Sequence, residues 1–213
     1  MTKKLLTKNE IAEVMDRLEV AYPDAECALV HGSVFELIVA VALSAQTTDV
    51  SVNKVTPELF RRWPTPEALA SANPDEVAEV IRTIGMYKTK SKNIVGLAQK
   101  IAYEFGGEVP ADFSLLTSLP GVGRKTANVV LAVWFGEDRI AVDTHVFRVS
   151  NRIGLVSEPT PDKVEVALTK KLPKGTLAKS HHCLIWHGRR ICHARKPDCA
   201  NCTIEDICLK KGL

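Results

Sequence analysis

Apolar residues recur with helical spacing along nearly the whole chain. One apolar face, over residues 11–18, directly follows Thr7-x-x-Glu10, a pair of residues that can cap a helix N-terminus reciprocally. Residues 35–45 are almost wholly apolar, which predicts a helix through the centre of a core. No segment alternates polar and apolar residues for long enough to require a strand. The pattern therefore predicts an all-α fold.

Further helices are predicted wherever the same spacing returns. They cover residues 50–60, 74–84, 90–105, 124–135, 144–153, 161–172 and 177–189. Gly85, Gly136 and Gly154 stand where helices are expected to end, since glycine readily adopts the left-handed conformation that closes a helix.

Composition is that of an ordinary globular protein, but charge is unevenly distributed along it. The 213 residues are 46% hydrophobic, enough to fill a core, and carry a net charge of +3. Residues 1–120 contain 12 Lys and Arg against 16 Asp and Glu, whereas residues 121–213 contain 16 against 9. A basic second half indicates a polyanionic partner, because phosphate contacts need lysine and arginine. With no membrane-length apolar run and no apolar signal core, we expect a cytoplasmic protein with no membrane partner.

Four cysteines lie close together near the C-terminus in the pattern C-x6-C-x2-C-x5-C. They are Cys192, Cys199, Cys202 and Cys208. Thiols stay reduced in a chain without a secretory signal, so the clustering indicates a metal site rather than disulfides. Four thiolates suit both zinc and iron–sulfur clusters, and the spacing leaves both open. Cys27 and Cys183 lie outside the pattern and are expected to be small buried hydrophobic residues.

A glycine-rich turn, L-P-G-V-G-R-K-T at residues 119–126, separates two predicted helices. Gly121 and Gly123 permit a tight turn and leave backbone N–H groups uncovered at a helix start, which together make an anion site. Leu119 and Val122 are expected to hold the two helices together. A plain glycine-closed turn is the alternative, but the full string favours a helix-hairpin-helix that grips a DNA phosphate without reading sequence.

Two residues, Lys125 within this string and Asp143 beyond it, each have both an ordinary and a chemical interpretation. Lys125 begins a helix beside Arg124 and can be a simple phosphate contact, yet an amine is a nucleophile once it is deprotonated. Burial, a neighbouring cation and a helix N-terminus each lower the pKa of a lysine. Asp143 fits the N-cap of the helix that begins at residue 144. In the chemical interpretation, its carboxylate also supports positive charge developing on a sugar carbon.

These features together closely resemble the endonuclease III family, DNA base-excision-repair glycosylases of the helix-hairpin-helix superfamily. The resemblance rests on L-P-G-V-G-R-K-T-A-N-V-V at 119–130, A-V-D-T-H-V-F-R-V at 141–149 and the cysteine pattern. L-S-A-Q-T-T-D-V-S-V-N-K at 43–54 and T-I-G-M-Y at 83–87 extend it over nearly the whole chain. It implies a monomeric, bifunctional DNA N-glycosylase and AP lyase that removes oxidised pyrimidines from double-stranded DNA. The expected location is a prokaryotic cytoplasm, in association with the nucleoid.

The resemblance also implies a domain organisation and a cofactor. A six-helix domain over residues 24–137 would contain the helix-hairpin-helix at about 113–132. Residues 1–23 would join 138–213 in a discontinuous domain in which the four cysteines hold a [4Fe–4S] cluster. The active-site cleft would lie between the two domains.

Residue roles carry over from the family by position. Lys125 is the implied nucleophile that attacks C1′, and Asp143 is the implied catalytic carboxylate. Gln46 would fill the space left by the extruded nucleotide, and Met86 stands where the family places an apolar wedge, usually leucine. The other implied DNA contacts are Leu119, Gly121, Val122, Gly123, Arg124, His145, Arg189, Arg195 and Lys196.

Three other function classes are alternatives to a bifunctional glycosylase and lyase. Adenine-mismatch glycosylases of the superfamily generally lack lysine at this position and add a C-terminal domain, for which a chain ending soon after Cys208 is expected to leave no room. A non-catalytic DNA-binding module with a structural metal cluster would bind abasic DNA without nicking it. An electron carrier or zinc protein explains neither Lys125 nor the hairpin.

Overall fold

The computed structural model describes residues 5–213, and the regular structure in that range is helical. Its eleven α-helices are α1 (Lys8–Ala21), α2 (Val34–Leu43), α3 (Asp49–Arg62), α4 (Pro66–Ala70), α5 (Pro74–Val80), α6 (Tyr87–Glu104), α7 (Phe113–Thr117), α8 (Arg124–Val133), α9 (Thr144–Ile153), α10 (Pro161–Lys171) and α11 (Leu177–Arg190). A short 3-10 turn covers Cys199–Asn201, and no β-strand occurs within residues 5–213. The all-α prediction is confirmed.

Local capping signals account for several helix ends. Glu10 N–H donates to the Thr7 hydroxyl oxygen at 3.4 Å, and Thr7 N–H donates to Glu10 Oε2 at 2.8 Å, so the predicted capping box is present. Gly154 closes α9 with a φ of 94°, as expected. Gly136 also has a positive φ, but it lies two residues beyond Trp134, the C-cap of α8.

The helix end expected at Gly85 is wrong. Helix α5 already ends at Val80, where Ile81 N–H donates to the Val77 carbonyl, and the chain then turns for several residues before α6. The left-handed conformation falls on Met86, the N-cap of α6, rather than on the preceding glycine.

Two short helices lie outside the ranges that apolar spacing predicted, although α7 lies where the helix-hairpin-helix expected at about 113–132 needs its first helix. Helices α4 and α7 have five residues each, which is too short for an apolar period to be recognised. Their start signals are nevertheless present, since Thr65 caps Ala68 N–H before Pro66, and Asp112 caps Leu115 N–H at 2.8 Å.

The described chain divides into two compact units, residues up to 26 together with 137–213, and residues 27–136. The domain assignment implied by the resemblance stays a prediction, and residues 1–4 of its first segment lie outside the described residues. No helix within residues 5–213 combines the length and the apolar character that crossing a bilayer requires.

The unit formed by both ends of the chain packs α1, α9, α10 and α11 around one core. The open end of α9 is closed by distant backbone, because Leu209 N–H donates to the Ile153 carbonyl at 3.0 Å and Leu6 N–H donates to the Gly154 carbonyl at 3.0 Å. A Cβ added at Gly154 would lie 2.5 Å from Leu209 Cδ1. The chain just beyond Cys208 is therefore held against the end of α9.

The unit of residues 27–136 is built around α2. All of α2 except Val34 and Glu36 is buried, so the prediction of a central apolar helix is confirmed. Helices α3, α6 and α8 pack on it, α4 and α5 pack on α6, and α7 packs on α8. This packing holds α7, α8 and their connecting turn against the core of the unit.

Candidate functional site

The turn between α7 and α8 presents backbone rather than apolar side chains. Leu119 and Val122 are buried, and Val122 N–H donates to the Leu119 carbonyl at 3.1 Å. Gly121 has a φ of 75°, and a Cβ there would lie 3.0 Å from Asn93 Cβ, so both the backbone conformation and the limited space favour glycine. Any contact that Leu119 or Val122 makes with a ligand has to come from the backbone.

Helix α8 begins without a capping side chain. Its N-cap is Gly123, so no side chain of the capping residue occupies the first N–H groups of the helix. Arg124, the first residue of α8, is exposed, with its guanidinium 5.2 Å from the centre of the Phe113 ring. A helix start without a side-chain cap, the helix dipole and a cation together favour an anion at this point.

Lys125 is the second residue of α8 and is exposed. The neighbouring cation Arg124 and the helix N-terminus both lie beside this amine, as the sequence predicted. The amine itself is not buried. The side chain stands one residue beyond the uncapped helix start, where a bound phosphate would lie.

Asp143 caps α9 in the other unit. Its Oδ1 accepts from Val146 N–H at 2.7 Å, and the residue is half-buried. The segment leading to it is also held, because His181 Nδ1 lies 2.8 Å from the Ala141 carbonyl oxygen and Asp138 Oδ1 accepts from Leu177 N–H at 2.8 Å. The capping interpretation is thus present in the structure, and the carboxylate sits on a well-anchored backbone.

His145 and Arg148 connect the first turn of α9 to the cysteine segment. Arg148 Nη2 lies 3.2 Å from His145 Nδ1 and donates to the carbonyls of Gly188 at 2.9 Å and Cys192 at 3.0 Å. Burial lowers the pKa of His145, with Asp143 opposing part of that effect. His145 is therefore held by protein contacts and is only half-buried.

All four clustered cysteines line one cavity, which Arg152 and His187 also line. Arg152 Nη1 lies 3.5 Å from Cys192 Sγ, and His187 Nε2 lies 3.8 Å from Cys202 Sγ. Burial and the neighbouring cysteines raise the pKa of the Cys202 and Cys208 thiols. A bound cation would reverse that tendency, because it stabilises thiolates.

Among residues 5–213, no three His, Cys, Asp or Glu side chains form a group that could hold a single metal ion. The structure nevertheless brings the four thiols to one cavity, a donor set whose soft sulfur atoms fit a thiolate-bound metal group. The two other cysteines are separate, Cys183 buried as expected and Cys27 only partly so.

The cysteine segment also carries exposed cations. Arg189, near the end of α11, and Arg195 and Lys196, between the first two clustered cysteines, are all exposed. Asp198 N–H donates to the Ile191 carbonyl at 3.0 Å, which folds the basic residues into a compact loop. The arrangement offers positive charge to a polyanion.

Gln46 and Met86, both in the unit of residues 27–136, are exposed on its surface. Met86 is 51% exposed and is one of several large apolar side chains that reach solvent in the described residues. Both are non-glycine residues with positive φ, at 54° and 57°.

Comparison with known proteins identifies the family. The family model described as "HhH-GPD superfamily base excision DNA repair protein" matches residues 39–174. The endonuclease III of Bacillus subtilis is 46% identical, over 98% of this chain and 99% of that protein. The endonuclease III of Escherichia coli is 45% identical, over 95% and 96%. The chain belongs to the endonuclease III family of the HhH-GPD superfamily.

A solved structure of an endonuclease III matches over the same extent. It is a trapped endonuclease III–DNA covalent intermediate, with a TM-score of 0.92, 45% identity and coverage of 96% of each chain. The resemblance drawn from the sequence motifs to the endonuclease III family is thereby confirmed.

Two residues of this endonuclease III family member escaped the sequence reasoning. Lys90 is a buried lysine whose Nζ donates to Thr47 Oγ1 at 2.7 Å, and Arg148 contacts the Cys192 backbone. The residues beside Lys90 and Arg148 in the sequence do not indicate these contacts. Each contact joins residues more than forty positions apart.

Proposed function

We propose that the chain is a bifunctional DNA N-glycosylase and AP lyase that removes oxidised pyrimidines from double-stranded DNA. The observation that carries the proposal is the position of Lys125, an exposed amine in the first turn of α8, beside an uncapped helix start and the glycine turn. A DNA phosphate bound there would bring the sugar–phosphate chain next to a nucleophile. The relative trapped as a covalent intermediate with DNA supports a reaction that passes through a bond between protein and DNA.

Binding precedes the chemistry. The N–H groups at the start of α8 and the Arg124 side chain would hold phosphate oxygens without reading sequence. A base within a duplex is inaccessible, so the damaged nucleotide must be extruded. Oxidised pyrimidines have lost aromaticity and stack poorly, which lowers the cost of extrusion. In this proposal Gln46 and Met86 enter the space that the nucleotide leaves.

The reaction then proceeds in two stages. The unprotonated Lys125 Nζ forms a bond to C1′ while the bond to the base breaks, and the base leaves with that electron pair. Asp143 stabilises the positive charge that develops on the sugar. The nitrogen then loses a proton, and its lone pair forms the C=N bond of a Schiff base as the C1′–O4′ bond breaks and O4′ takes up a proton. Loss of the C2′ proton expels the 3′ phosphate by β-elimination, and hydrolysis frees the amine.

The cofactor we propose is a [4Fe–4S] cluster held by Cys192, Cys199, Cys202 and Cys208. The common cavity of the four thiols supports a thiolate-bound metal group, and membership of the endonuclease III family favours the iron–sulfur cluster over zinc. When bound, the cluster would link four points of one short segment. The residues of that segment would then present Arg195, Lys196 and the nearby Arg189 to DNA phosphates.

We also propose a domain organisation, an oligomeric state and a cellular location. Residues 24–137 would form the six-helix domain, and residues 1–23 with 138–213 the cluster domain. The protein would act as a monomer in a prokaryotic cytoplasm, at the nucleoid; the bacterial source of the curated relatives supports that location.

The wild-type chain tests the function on a panel of duplexes, each with one defined site. We expect nicking at thymine glycol, at dihydrouracil and at a preformed abasic site, and none at 8-oxoguanine or in undamaged DNA. Denaturing gels with end-labelled strands measure the products. Nicking at 8-oxoguanine alone would contradict the pyrimidine assignment, and binding of abasic DNA without nicking would instead support the non-catalytic module.

Replacing one clustered cysteine tests the cofactor. We expect Cys202→Ala to lose iron and the absorbance at about 400 nm, because an iron–sulfur cluster needs all four thiolates. Loss of a metal ligand should weaken duplex binding by about tenfold or more, through the basic loop that the cluster orders. Iron analysis, absorbance spectra and fluorescence anisotropy with labelled duplex make the three measurements.

Cys27→Ala is the matched control, because Cys27 is a partly buried thiol outside the pattern. It should keep both iron and affinity. Equal iron in the two variants, or zinc in place of iron in the wild type, would rule out the proposed cluster.

A further inference from the structure

Gln46 and Met86 share a backbone conformation that residues other than glycine rarely adopt. Their φ angles are 54° and 57°, in the left-handed region, and neither residue is glycine. Non-glycine residues in this region are uncommon, and they persist where the surrounding structure holds them. The surroundings of these two exposed residues therefore matter for where their side chains point.

The two residues lie in neighbouring turns of the same unit. Gln46 is in the turn between α2 and α3, and Met86 is the N-cap of α6 with no side-chain capping bond of its own. A Cβ built at Gly85, the residue before Met86, would lie 4.0 Å from the Gln46 carbonyl oxygen. Movement of one turn would thus change the separation of the two side chains.

One residue is bonded to both turns. Lys90 N–H donates to the Met86 carbonyl at 2.9 Å, which closes the first turn of α6. Lys90 Nζ donates to the hydroxyl of Thr47, the residue directly after Gln46, at 2.7 Å. A single side chain therefore spans from the start of α6 to the Gln46 turn.

The bond to Thr47 keeps the Lys90 ammonium group in a buried position, where a charge does not by itself stabilise the fold. Lys90 is only 5% exposed, and burial lowers the pKa of its amine. Burying an ammonium group costs free energy that one bond to a hydroxyl offsets only in part, and apolar replacements of buried charges are often neutral or stabilising. A lysine at this position is better explained by the geometry that it fixes.

We infer that Lys90 is a positioning residue that, through Thr47, sets the spacing between Gln46 and Met86, so that both side chains can enter the duplex together when a nucleotide is extruded. The inference rests on the proposed function, because it concerns the two residues assigned to the vacated space. It separates extrusion from chemistry: loosening this bridge slows extrusion and leaves the reaction of an already unpaired nucleotide unchanged.

The competing explanation is that the Lys90 amine binds a DNA phosphate directly. Thr47→Val distinguishes the two explanations, since valine has the shape of threonine without its hydroxyl and leaves the lysine charge in place. Thr47→Ser keeps the hydroxyl and should behave like the wild type.

The experiment compares Lys90→Met, Thr47→Val, the double variant, Thr47→Ser and the control Lys92→Met. Methionine retains much of the lysine stem, and Lys92 is an exposed lysine of the same helix. Each full-length variant is mixed in excess with a duplex that carries thymine glycol opposite 2-aminopurine, whose fluorescence rises when its partner leaves the stack. Base release is measured in the same reactions, and also on the same lesion in single-stranded DNA.

We expect Lys90→Met and Thr47→Val each to slow the fluorescence rise and base release from the duplex by about tenfold, and the double variant to be no slower than either. Release from single-stranded DNA and the thermal unfolding midpoint should stay at wild-type values. Thr47→Ser and Lys92→Met should match the wild type on both substrates.

Several outcomes would overturn the inference. These are unchanged duplex rates, additive losses in the double variant, an equal loss on single strands, or a Lys90→Met defect that Thr47→Val lacks and that comes with a reduced salt dependence, as a phosphate contact predicts. If the wild type releases no base, the proposed function fails, yet the fluorescence of the same variants still decides the role of Lys90.

Discussion

Replacing Lys125 with glutamine should abolish borohydride trapping on thymine-glycol DNA and lower the nicking rate by at least about 10³-fold, or about 4 kcal/mol in the barrier. A glutamine side-chain amide has no basic lone pair to attack C1′ and cannot form a Schiff base. Glutamine keeps helix propensity close to that of lysine, and the position is exposed, so the fold should persist. Denaturing gels of the borohydride-treated mixtures show the covalent complex directly.

Arg124→Gln is the matched control for the loss of one positive charge. It changes the neighbouring exposed residue at the same helix start, and it should weaken binding while leaving trapping intact at saturating protein. Trapping of Lys125→Gln at the wild-type level would show that another amine is the nucleophile.

Asp143→Asn should lower the rate of base release by about 10²- to 10³-fold without unfolding α9. Asparagine caps helices as well as aspartate does, so its side-chain oxygen can still accept from Val146 N–H. The substitution removes the negative charge, and with it the stabilisation of positive charge on the sugar. Single-turnover base release on a thymine-glycol duplex, with the thermal unfolding midpoint measured in parallel, checks both parts.

Asp112→Asn provides the same change at another helix start. Asp112 caps α7 through Leu115 N–H, and its replacement should leave base release at the wild-type rate when protein is in excess. Equal rates for wild type and Asp143→Asn would limit Asp143 to capping, and a large fall in the unfolding midpoint would assign any lost activity to structure.

Local signals in the sequence account for the parts of the fold that short-range contacts determine. The capping box at Thr7, the cap at Asp143 and the glycine that closes α9 each act within a few residues, so they can be recognised before folding is considered. The same holds for the glycine turn, where the conformation of Gly121 and the uncapped start of α8 follow from consecutive residues.

Two features that depend on tertiary packing were not predicted correctly from the sequence. Lys125 is exposed rather than buried, because exposure depends on what packs nearby and not on the residues beside it in the chain. The helix end predicted at Gly85 is wrong, because the turn before α6 places the left-handed conformation on Met86 instead. A Cβ at Gly85 would lie 4.0 Å from the carbonyl oxygen of Gln46, which belongs to a different turn.

By itself, the sequence determined the helical class, most helix starts, the glycine turn with its lysine and the grouping of four thiols near the C-terminus. Only the tertiary structure decided that those thiols line one cavity, that the chain after Cys208 closes α9 and that Lys90 joins the turns of Gln46 and Met86. The physical reason is range. Capping and turn formation act between neighbours in the chain. Lys90 and Thr47, in contrast, are 43 positions apart, and all three of these features depend on how the helices pack.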